Sequence, residues 1–288
     1  MKRLLTSCIL AVFAAPFASA QMGDYLDVFV AKVKPEKRAD FDAVNRRITE
    51  ANRKARGDTW IAFEVMYGES NTIYFVSQRK DYAAVDAGTT AFENAIKEAY
   101  GPGGMKKMEQ DFNNTIISSR GVLRRRRPDL SMNFPKDEQA YNKLVGGARW
   151  LRTIRVQAKP GHAEDFENLA KQVKAAYEQG APSWTVLASQ TVAGEPGAVY
   201  YFSSLQPSLA AFDSSPSLLK LMGNEAFFKW EKGSADTVIT SETLLFRIVP
   251  ELSNAPEEIA STSPEFWRPK APATTKMKPA AQAAKTGQ

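Results

Sequence analysis

An internal repeat constrains the fold more than any other feature of this 288-residue chain. The segment YLDVFVAKVKPEKRADFDAV, which begins at Tyr25, is similar to WLRTIRVQAKPGHAEDFENL, which begins 125 residues later at Trp150. Two further pairs of segments follow in the same order: IYFVS from Ile73 with VYYFS from Val199, and RRRRPDLS from Arg124 with FRIVPELS from Phe246. Because the order is kept while the offset changes by only a few residues, we infer a tandem duplication of one structural unit.

Each copy has the residue pattern of a β-α-β-β-α-β unit. Apolar and polar residues alternate in segments 26–33 and 151–158, which predicts a half-buried strand. A Lys-Pro pair follows each strand, at a point where proline favours the start of a helix. We expect two more strands around 60–77 and 184–204, a second helical region over 81–111 and 207–232, and a last strand that ends at the proline shared by both copies. This order is the ferredoxin-like motif, so the predicted fold class is α+β with two tandem ferredoxin-like units.

The same residues carry a resemblance to a known superfamily. In each copy a strand ends in KPE or KPG, a phenylalanine follows six residues after the proline, and the second strand carries a tryptophan. With these motifs the chain resembles the dimeric α/β-barrel superfamily, which includes antibiotic-biosynthesis monooxygenase-like and NIPSNAP-like proteins. The resemblance covers both repeats, which we place at 21–131 and 150–253 with a linker at 132–149. It implies that two antiparallel sheets join into an α/β barrel within one chain, so that a monomer forms a pseudo-dimer, and it leaves further dimerisation open.

The two ends of the chain differ in composition from the repeats. Residues 1–20 begin with a basic pair, continue with an apolar run and end in Ala-Ser-Ala, which predicts a signal peptide cleaved after Ala20 and a secreted, periplasmic or extracellular protein. A short membrane anchor is the alternative, but the apolar run is well below the roughly 20 residues that span a bilayer. Segment 254–288 ends in a run rich in Pro, Ala and Lys. We expect a disordered basic tail there, which could contact an acidic envelope surface or only aid solubility.

The distribution of charge argues against a nucleic-acid partner. Lys2, Arg3 and the basic end of the tail account for the formal net charge of +6, so that the segment between them is formally neutral. Nucleic-acid-binding domains instead carry a basic field on their folded surface.

The sequence also lacks the side chains of the common catalytic and metal centres. The only cysteine, Cys8, lies within the predicted signal peptide. His162 is the only histidine, and its position in the turn PGHAED is typical of a surface residue. A Ser-His-Asp triad or a metal centre built from histidine or thiolate is therefore not expected. We predict no metal and no cofactor.

Candidate ligand-binding residues come from the predicted strands. Alternation along the first strand of each copy directs Val28 and Val30, and in the second copy Thr153 and Arg155, into the barrel. Aromatic side chains on the strands could line a cavity for a flat or apolar ligand. The candidate set is Trp60, Tyr74, Arg155, Trp184 and Tyr200, with Arg124 and Arg126 from the arginine run. The alternative is that these aromatic rings only fill the core between helices and sheet.

The four consecutive arginines occupy the last strand of the first copy. Since successive strand residues point to opposite faces, Arg124 and Arg126 are predicted on one face, with Arg125 and Arg127 on the other. Buried arginine needs a partner, and we expect carboxylates such as Asp27 or Glu64 on neighbouring strands to supply it. Contact with an anionic ligand in or at the rim of the barrel is the alternative.

Two functions fit these residues. The first is an exported protein that binds a small apolar or aromatic molecule in the fused barrel. The second follows from the resemblance, which implies a cofactor-independent monooxygenase-like enzyme that acts on an aromatic substrate, with Trp60, Trp184 and Arg155 as its candidate residues. A third hypothesis is a structural duplicate with a filled cavity. No motif in the sequence fixes a reaction.

Overall fold

The computed structural model describes residues 23–269, so that the predicted signal peptide and segment 270–288 lie outside the described residues. The first half contains β1 (Tyr25–Val33), α1 (Arg38–Ala55), β2 (Ile61–Tyr67), β3 (Thr72–Arg79), α2 (Tyr82–Tyr100), α3 (Gly104–Asn113) and β4 (Ile116–Arg126). Helix α4 (Glu138–Gly147) follows. The second half contains β5 (Trp150–Ala158), α5 (Ala163–Gly180), β6 (Leu187–Ala193), β7 (Val199–Gln206), α6 (Leu218–Met222), α7 (Asn224–Thr237) and β8 (Val238–Ile248). Helices α8 (Glu257–Ala260) and α9 (Pro264–Trp267) end the described chain.

All eight strands form one closed antiparallel barrel in the order β1-β3-β2-β8-β5-β7-β6-β4. Within the first half, β3 pairs with β1 and β2, and β1 also pairs with β4. The second half repeats this arrangement with β5 to β8. Strand pairs β2–β8 and β4–β6 join the halves. The predicted fold class, two ferredoxin-like units joined into an intramolecular α/β barrel, is confirmed.

The segments that follow β4 and β8 each cross onto the opposite half. In these segments the sequences PDLS and PELS place Ser131 and Ser253, both fully buried. The Oγ of Ser253 accepts a hydrogen bond of 2.9 Å from the main-chain N–H of Ala62, and the Oγ of Ser131 accepts one of 2.8 Å from that of Ala188. Each hydroxyl also donates to a carbonyl of its own half. The serine that ends PDLS in the first copy and PELS in the second therefore hydrogen-bonds each half to the other.

Alternate residues of the strands face the barrel interior and the surrounding helices. On β1, Val28 and Val30 pack inside the barrel with Val122 of β4. Ala31 and Val33 instead pack outside, against Phe41 of α1. The predicted alternation of β1 is therefore present in the structure. It fixes which side chains a molecule inside the barrel could touch.

One end of the barrel is covered by the linker and by the segment after the second repeat. Tyr141 and Val145 of α4, with Ile259 and Trp267 of α8 and α9, join the same apolar cluster as the inward-facing strand residues. Trp267 is 1% exposed, and its Nε1–H donates to the carbonyl of Gly146 at 2.9 Å. The expectation of a disordered tail from residue 254 is therefore wrong for residues 254–269. The polar composition of the whole tail obscured the few large apolar residues at its start.

Candidate functional site

The barrel interior contains a cavity of about 100 Å³. Three of the predicted site residues line it, namely Tyr74 of β3 with Arg124 and Arg126 of β4. Most of the other lining residues are apolar, with hydroxyl groups from Thr153, Ser189, Tyr201 and Ser203. Among its lining residues there are two guanidinium groups and no carboxylate.

Arg124 lies deep in this interior. Its side chain stacks on Tyr201, with its Cζ atom 3.4 Å from the ring centroid. Its Nε–H has no hydrogen-bond partner within residues 23–269. Burial lowers the pKa of Arg124, and the nearby charges of Tyr201 and Glu195 oppose this shift only in part. An arginine nevertheless keeps its proton in a protein, so the site carries a buried positive charge.

Glu195, in the turn between β6 and β7, lies close enough to Arg124 for its charge to act on that residue, and it accepts hydrogen bonds from several other side chains. Its carboxylate accepts from Arg155 Nε at 3.2 Å and from Thr191 Oγ1 at 2.8 Å, and it also accepts from the Tyr201 hydroxyl. Arg120 lies 3.5 Å away. Burial would raise the pKa of Glu195, but these hydrogen bonds and positive charges outweigh burial and lower it. The predicted site residue Arg155 is therefore held by a carboxylate.

The other arginines of the run use different partners. Arg126 donates to neutral oxygens, those of Gly23 at 2.6 Å, Gln78 at 3.0 Å and the Tyr141 hydroxyl at 2.8 Å. Arg127 lies outside the barrel and binds Glu167 at 2.7 Å.

The expectation that Asp27 or Glu64 would neutralise the run is wrong. Both carboxylates lie on the outer face of their strands, whereas Arg124 and Arg126 point inward. Asp27 instead binds Arg79 at 3.2 Å, and Glu64 binds Arg38 and Arg247.

The structure places Trp60, Trp184 and Tyr200 outside the barrel, away from Tyr74 and Arg124. Trp60 packs among residues of α1 and α2, and its Nε1–H donates to the carbonyl of Leu252 at 2.7 Å. Trp184 packs in a cluster with residues of α5. These tryptophans fill the space between helices and sheet, which is the alternative that the sequence left open.

Tyr200 differs from the prediction because of a one-residue shift in register. Tyr74 lies opposite Val30 in the β1–β3 pair, and Tyr201 lies opposite Arg155 in the β5–β7 pair. Since Val30 and Arg155 correspond in the repeat, the counterpart of Tyr74 is Tyr201. A shift of one residue moves a side chain to the other face of a sheet. Tyr200 consequently packs on Phe166 outside the barrel, with ring centroids 4.8 Å apart.

A second and larger cavity of about 350 Å³ lies outside the barrel in the second half. We call it the outer groove. It lies between the outer face of the sheet and helices α5 and α7. Its apolar lining includes Ile154, Phe166, Val173, Phe202, Trp230 and Val238, and its polar lining consists of Arg152, Tyr177, Ser204, Ser234, Ser241 and Thr243. Sequence reasoning did not identify it.

The outer groove lies where smaller residues of the second copy replace two phenylalanines of the first copy. In the first half the corresponding space holds Phe29 and Phe112, whose rings lie 5.9 Å apart. At the repeat offsets of 125 for the first strand and 122 for the last, their counterparts are Ile154 and Ser234. Alignment of Phe112 with Ser234 was thus the available signal in the sequence.

The outer groove has a cation without a carboxylate partner and an indole N–H without an acceptor, both among the described residues. The guanidinium of Arg152 donates to Ser215 Oγ at 2.8 Å and lies 5.0 Å from the ring centroid of Phe212, and it forms no salt bridge with any described residue. Burial lowers the pKa of Arg152, and Tyr177 opposes that shift. The Nε1–H of Trp230 is buried and finds no acceptor in the described part of the chain.

The lining of the outer groove includes no Asp, Glu, His or Cys. Within residues 23–269 no cluster of such side chains could hold a metal ion. The described helices include none with the length and apolar character needed to cross a membrane.

Comparison with known proteins gives similarity of fold alone. The chain matches no model of a known protein family and no curated protein sequence. Among solved structures it is similar to an anthrone oxidase-like protein, at 11% identity and a TM-score of 0.49, over 78% of this chain and 92% of that one. A chlorite dismutase from Candidatus Nitrospira defluvii aligns at 12% identity and a TM-score of 0.44, over 83% of this chain and 95% of that one. At such identities the similarity carries no statement about activity.

Proposed function

We propose that the protein binds a small, flat apolar molecule that carries a carboxylate, and that it does so in the outer groove. The observation that carries this proposal is a groove of about 350 Å³ with aromatic and aliphatic walls and with Arg152 at its lining. Its volume lies at the lower end of the range for small-molecule sites, roughly 300–1,000 Å³. The ligand class therefore extends the predicted apolar or aromatic molecule by one anionic group.

The anionic group follows from the partners that Arg152 lacks. A half-buried guanidinium without a carboxylate leaves donors that match the two oxygens of a carboxylate in the ligand. Trp230 supplies a further donor. A neutral ligand of the same shape would fill the groove but leave the charge of Arg152 without a counter-ion.

We favour a binding function over an enzymatic one because of the side chains that line the outer groove. General acid–base catalysis requires a side chain that can exchange a proton within reach of the substrate. The groove offers Tyr177 and hydroxyl groups, and burial raises the pKa of Tyr177. The alternative, a cofactor-independent monooxygenase-like enzyme, would use the same groove.

The experiment compares 2-naphthoate with 2-naphthalenemethanol by calorimetry. We expect the wild type to prefer the carboxylate, and Arg152→Met to lose about ten- to a hundredfold of that preference, as for a hydrogen bond to a charged group. Ser234→Phe, which restores the residue of the first copy, should abolish binding of both probes without lowering the unfolding midpoint. Arg125→Met, which removes an exposed arginine outside the groove, is the matched control.

Two outcomes would contradict the proposal. The wild type could bind neither probe, or Ser234→Phe could bind both unchanged. Oxygen uptake with 1,4-naphthalenediol that Ser234→Phe abolishes would instead support the enzymatic alternative.

We further propose that the protein is exported and acts outside the cytoplasm. The basic start, apolar run and Ala-Ser-Ala site of residues 1–20 support this. Mass spectrometry of the protein from a periplasmic or culture fraction should show a chain that begins at Gln21, and an intact N-terminus would contradict export. The lysine-rich end would then face the envelope, where a contact with acidic surfaces is part of the same proposal.

A further inference from the structure

We propose that the barrel interior is a binding site for a small monovalent anion, a halide or a planar oxyanion of the size of nitrate, held by Arg124. This site is separate from the outer groove and does not depend on the function proposed for it. Four observations carry the inference: the burial of Arg124, the balance of charge around it, its counterpart in the repeat, and the size of the cavity.

Arg124 is buried, and its Nε–H donor is unused among the described residues. The residue is 8% exposed, and its Nε–H has no acceptor among the described residues. Buried polar groups in native proteins nearly always have a hydrogen-bond partner, and a buried charge without one is costly. Stacking on Tyr201 lowers that cost but supplies no acceptor to the N–H groups. An anion in the cavity would supply it.

The charges around the cavity leave an excess of positive charge. Glu195 supplies a negative charge that acts on Arg124, but no carboxylate is among the residues that line the cavity. Glu195 already binds Arg155 and contacts Arg120. At the other end of the cavity Arg126 has only neutral acceptors among the described residues. One bound anion would offset the charge of Arg124, and the interior offers no carboxylate to do so.

The second copy shows that the fold does not require a cation at this position. The counterpart of Arg124 is Phe246, and it packs on Tyr74 with ring centroids 5.1 Å apart. Arg124 packs in the same way on Tyr201, which is the counterpart of Tyr74. An apolar side chain therefore fills this place in one half of the barrel. Packing therefore does not require the charge that Arg124 introduces in the other half, and this points to a ligand.

The cavity limits the anion to a few atoms. Its volume is about 100 Å³, and Tyr141 of the covering helix α4 closes one side of it. Ser189 and Ser203 add hydroxyl donors from β6 and β7. A halide or a planar oxyanion fits the forked donors of a guanidinium and these hydroxyl groups. The aromatic carboxylates proposed for the outer groove are too large for this space.

The test measures the unfolding midpoint of the mature protein in sodium bromide and in sodium nitrate, with gluconate as the balancing anion at constant ionic strength. Above the dissociation constant, each tenfold increase in the concentration of the anion should raise the midpoint of a chain of this size by about 3–6 °C. Arg124→Leu should remove this dependence, and Arg125→Leu, which removes an exposed arginine of the same strand, should keep it. Diffraction from a wild-type crystal soaked in bromide should show an anomalous peak inside the barrel beside the Arg124 Nε atom.

The crystal keeps the inference testable even if Arg124→Leu does not fold. An interior without a bromide peak would overturn the proposal. A midpoint that does not change as bromide replaces gluconate would overturn it too. A response that Arg124→Leu retains in full would overturn it as well. Ser234→Phe should leave the bromide response unchanged, so the failure of either site can be recognised separately.

Discussion

Removal of the Ser253 hydroxyl should destabilise the barrel, because this buried group bonds the second half to the first. In Ser253→Ala the buried N–H of Ala62 loses its acceptor, which lies at 2.9 Å, and the carbonyl of Val249 loses a donor at 2.8 Å. An unsatisfied buried group costs about 1–3 kcal/mol, so we expect this loss in the free energy of unfolding. Ser131→Ala removes the equivalent pair of bonds, to Ala188 at 2.8 Å and to Arg127 at 2.9 Å, and should cost about the same.

Urea denaturation followed by tryptophan fluorescence measures both variants and their double mutant. Because the two serines share no partner, the losses should add to within about 0.5 kcal/mol, for a total of about 2–6 kcal/mol. Ser119→Ala, at an exposed position of β4, is the control and should change stability by less than about 0.5 kcal/mol. The reasoning is refuted if either buried serine can be replaced at no greater cost than this control.

Three further predictions concern packing and charge. Trp267→Ala should lower the free energy of unfolding, measured in urea, by about 3–5 kcal/mol, since it empties a buried site and removes the hydrogen bond to Gly146. Leu209→Ala, at a partly exposed site, is the control and should cost far less. Equal losses would mean that α9 is not part of the core. Gly88→Ala places a Cβ 2.5 Å from the Arg79 guanidinium, which Asp58 holds at 2.6 Å, and should lower the free energy of unfolding by about 1–3 kcal/mol. Gly147→Ala, whose Cβ would have no atom within 4 Å, is the control and should be nearly neutral. A larger loss in Gly147→Ala than in Gly88→Ala would contradict this packing. Hydrogen bonds from Arg127 lower the pKa of both Glu167 and Asp129. The stability that these ion pairs add to the folded state is therefore present above the ordinary carboxyl pKa and is lost as the pH falls through the lowered pKa values. The difference in unfolding midpoint between the wild type and Arg127→Gln should therefore narrow from pH 7 to pH 3, and a constant difference would show that the ion pair adds nothing.

The residue pattern predicted the two ferredoxin-like units, because the pattern is local and occurs twice, whereas the joining of their sheets into a barrel was implied by the family resemblance. Each strand and helix of the unit carries its own periodic pattern, and a second copy repeats that pattern in the same order. Alternation placed Arg124 and Arg126 on one face of β4, but it did not show which face points into the barrel. The partners of these arginines did not follow from alternation either, because contacts across a closed barrel depend on which strands meet.

The errors have equally specific physical causes. The segment VYYFS contains two adjacent tyrosines, and only the pairing of β5 with β7 decides that Tyr201 is the inward one. The buried Trp267 lies in a segment whose mean composition is polar, so an average over the tail hides it. The outer groove depends on a missing ring at Ser234, and an absence of volume leaves no pattern of its own in a single sequence.

The two cavities lie where the copies differ, and they lie on opposite faces of the same strand. On β5, Arg152 and Ile154 line the outer groove, whereas Thr153 lines the barrel interior. The first copy fills its outer space with Phe112 and places Arg124 inside, and the second copy does the reverse with Ser234 and Phe246. Two identical units in a barrel would have the outer groove twice or not at all, and would place the same residues on both sides of the interior. A chain that contains both units can hold one of each, because either copy can preserve the packing that the other has lost.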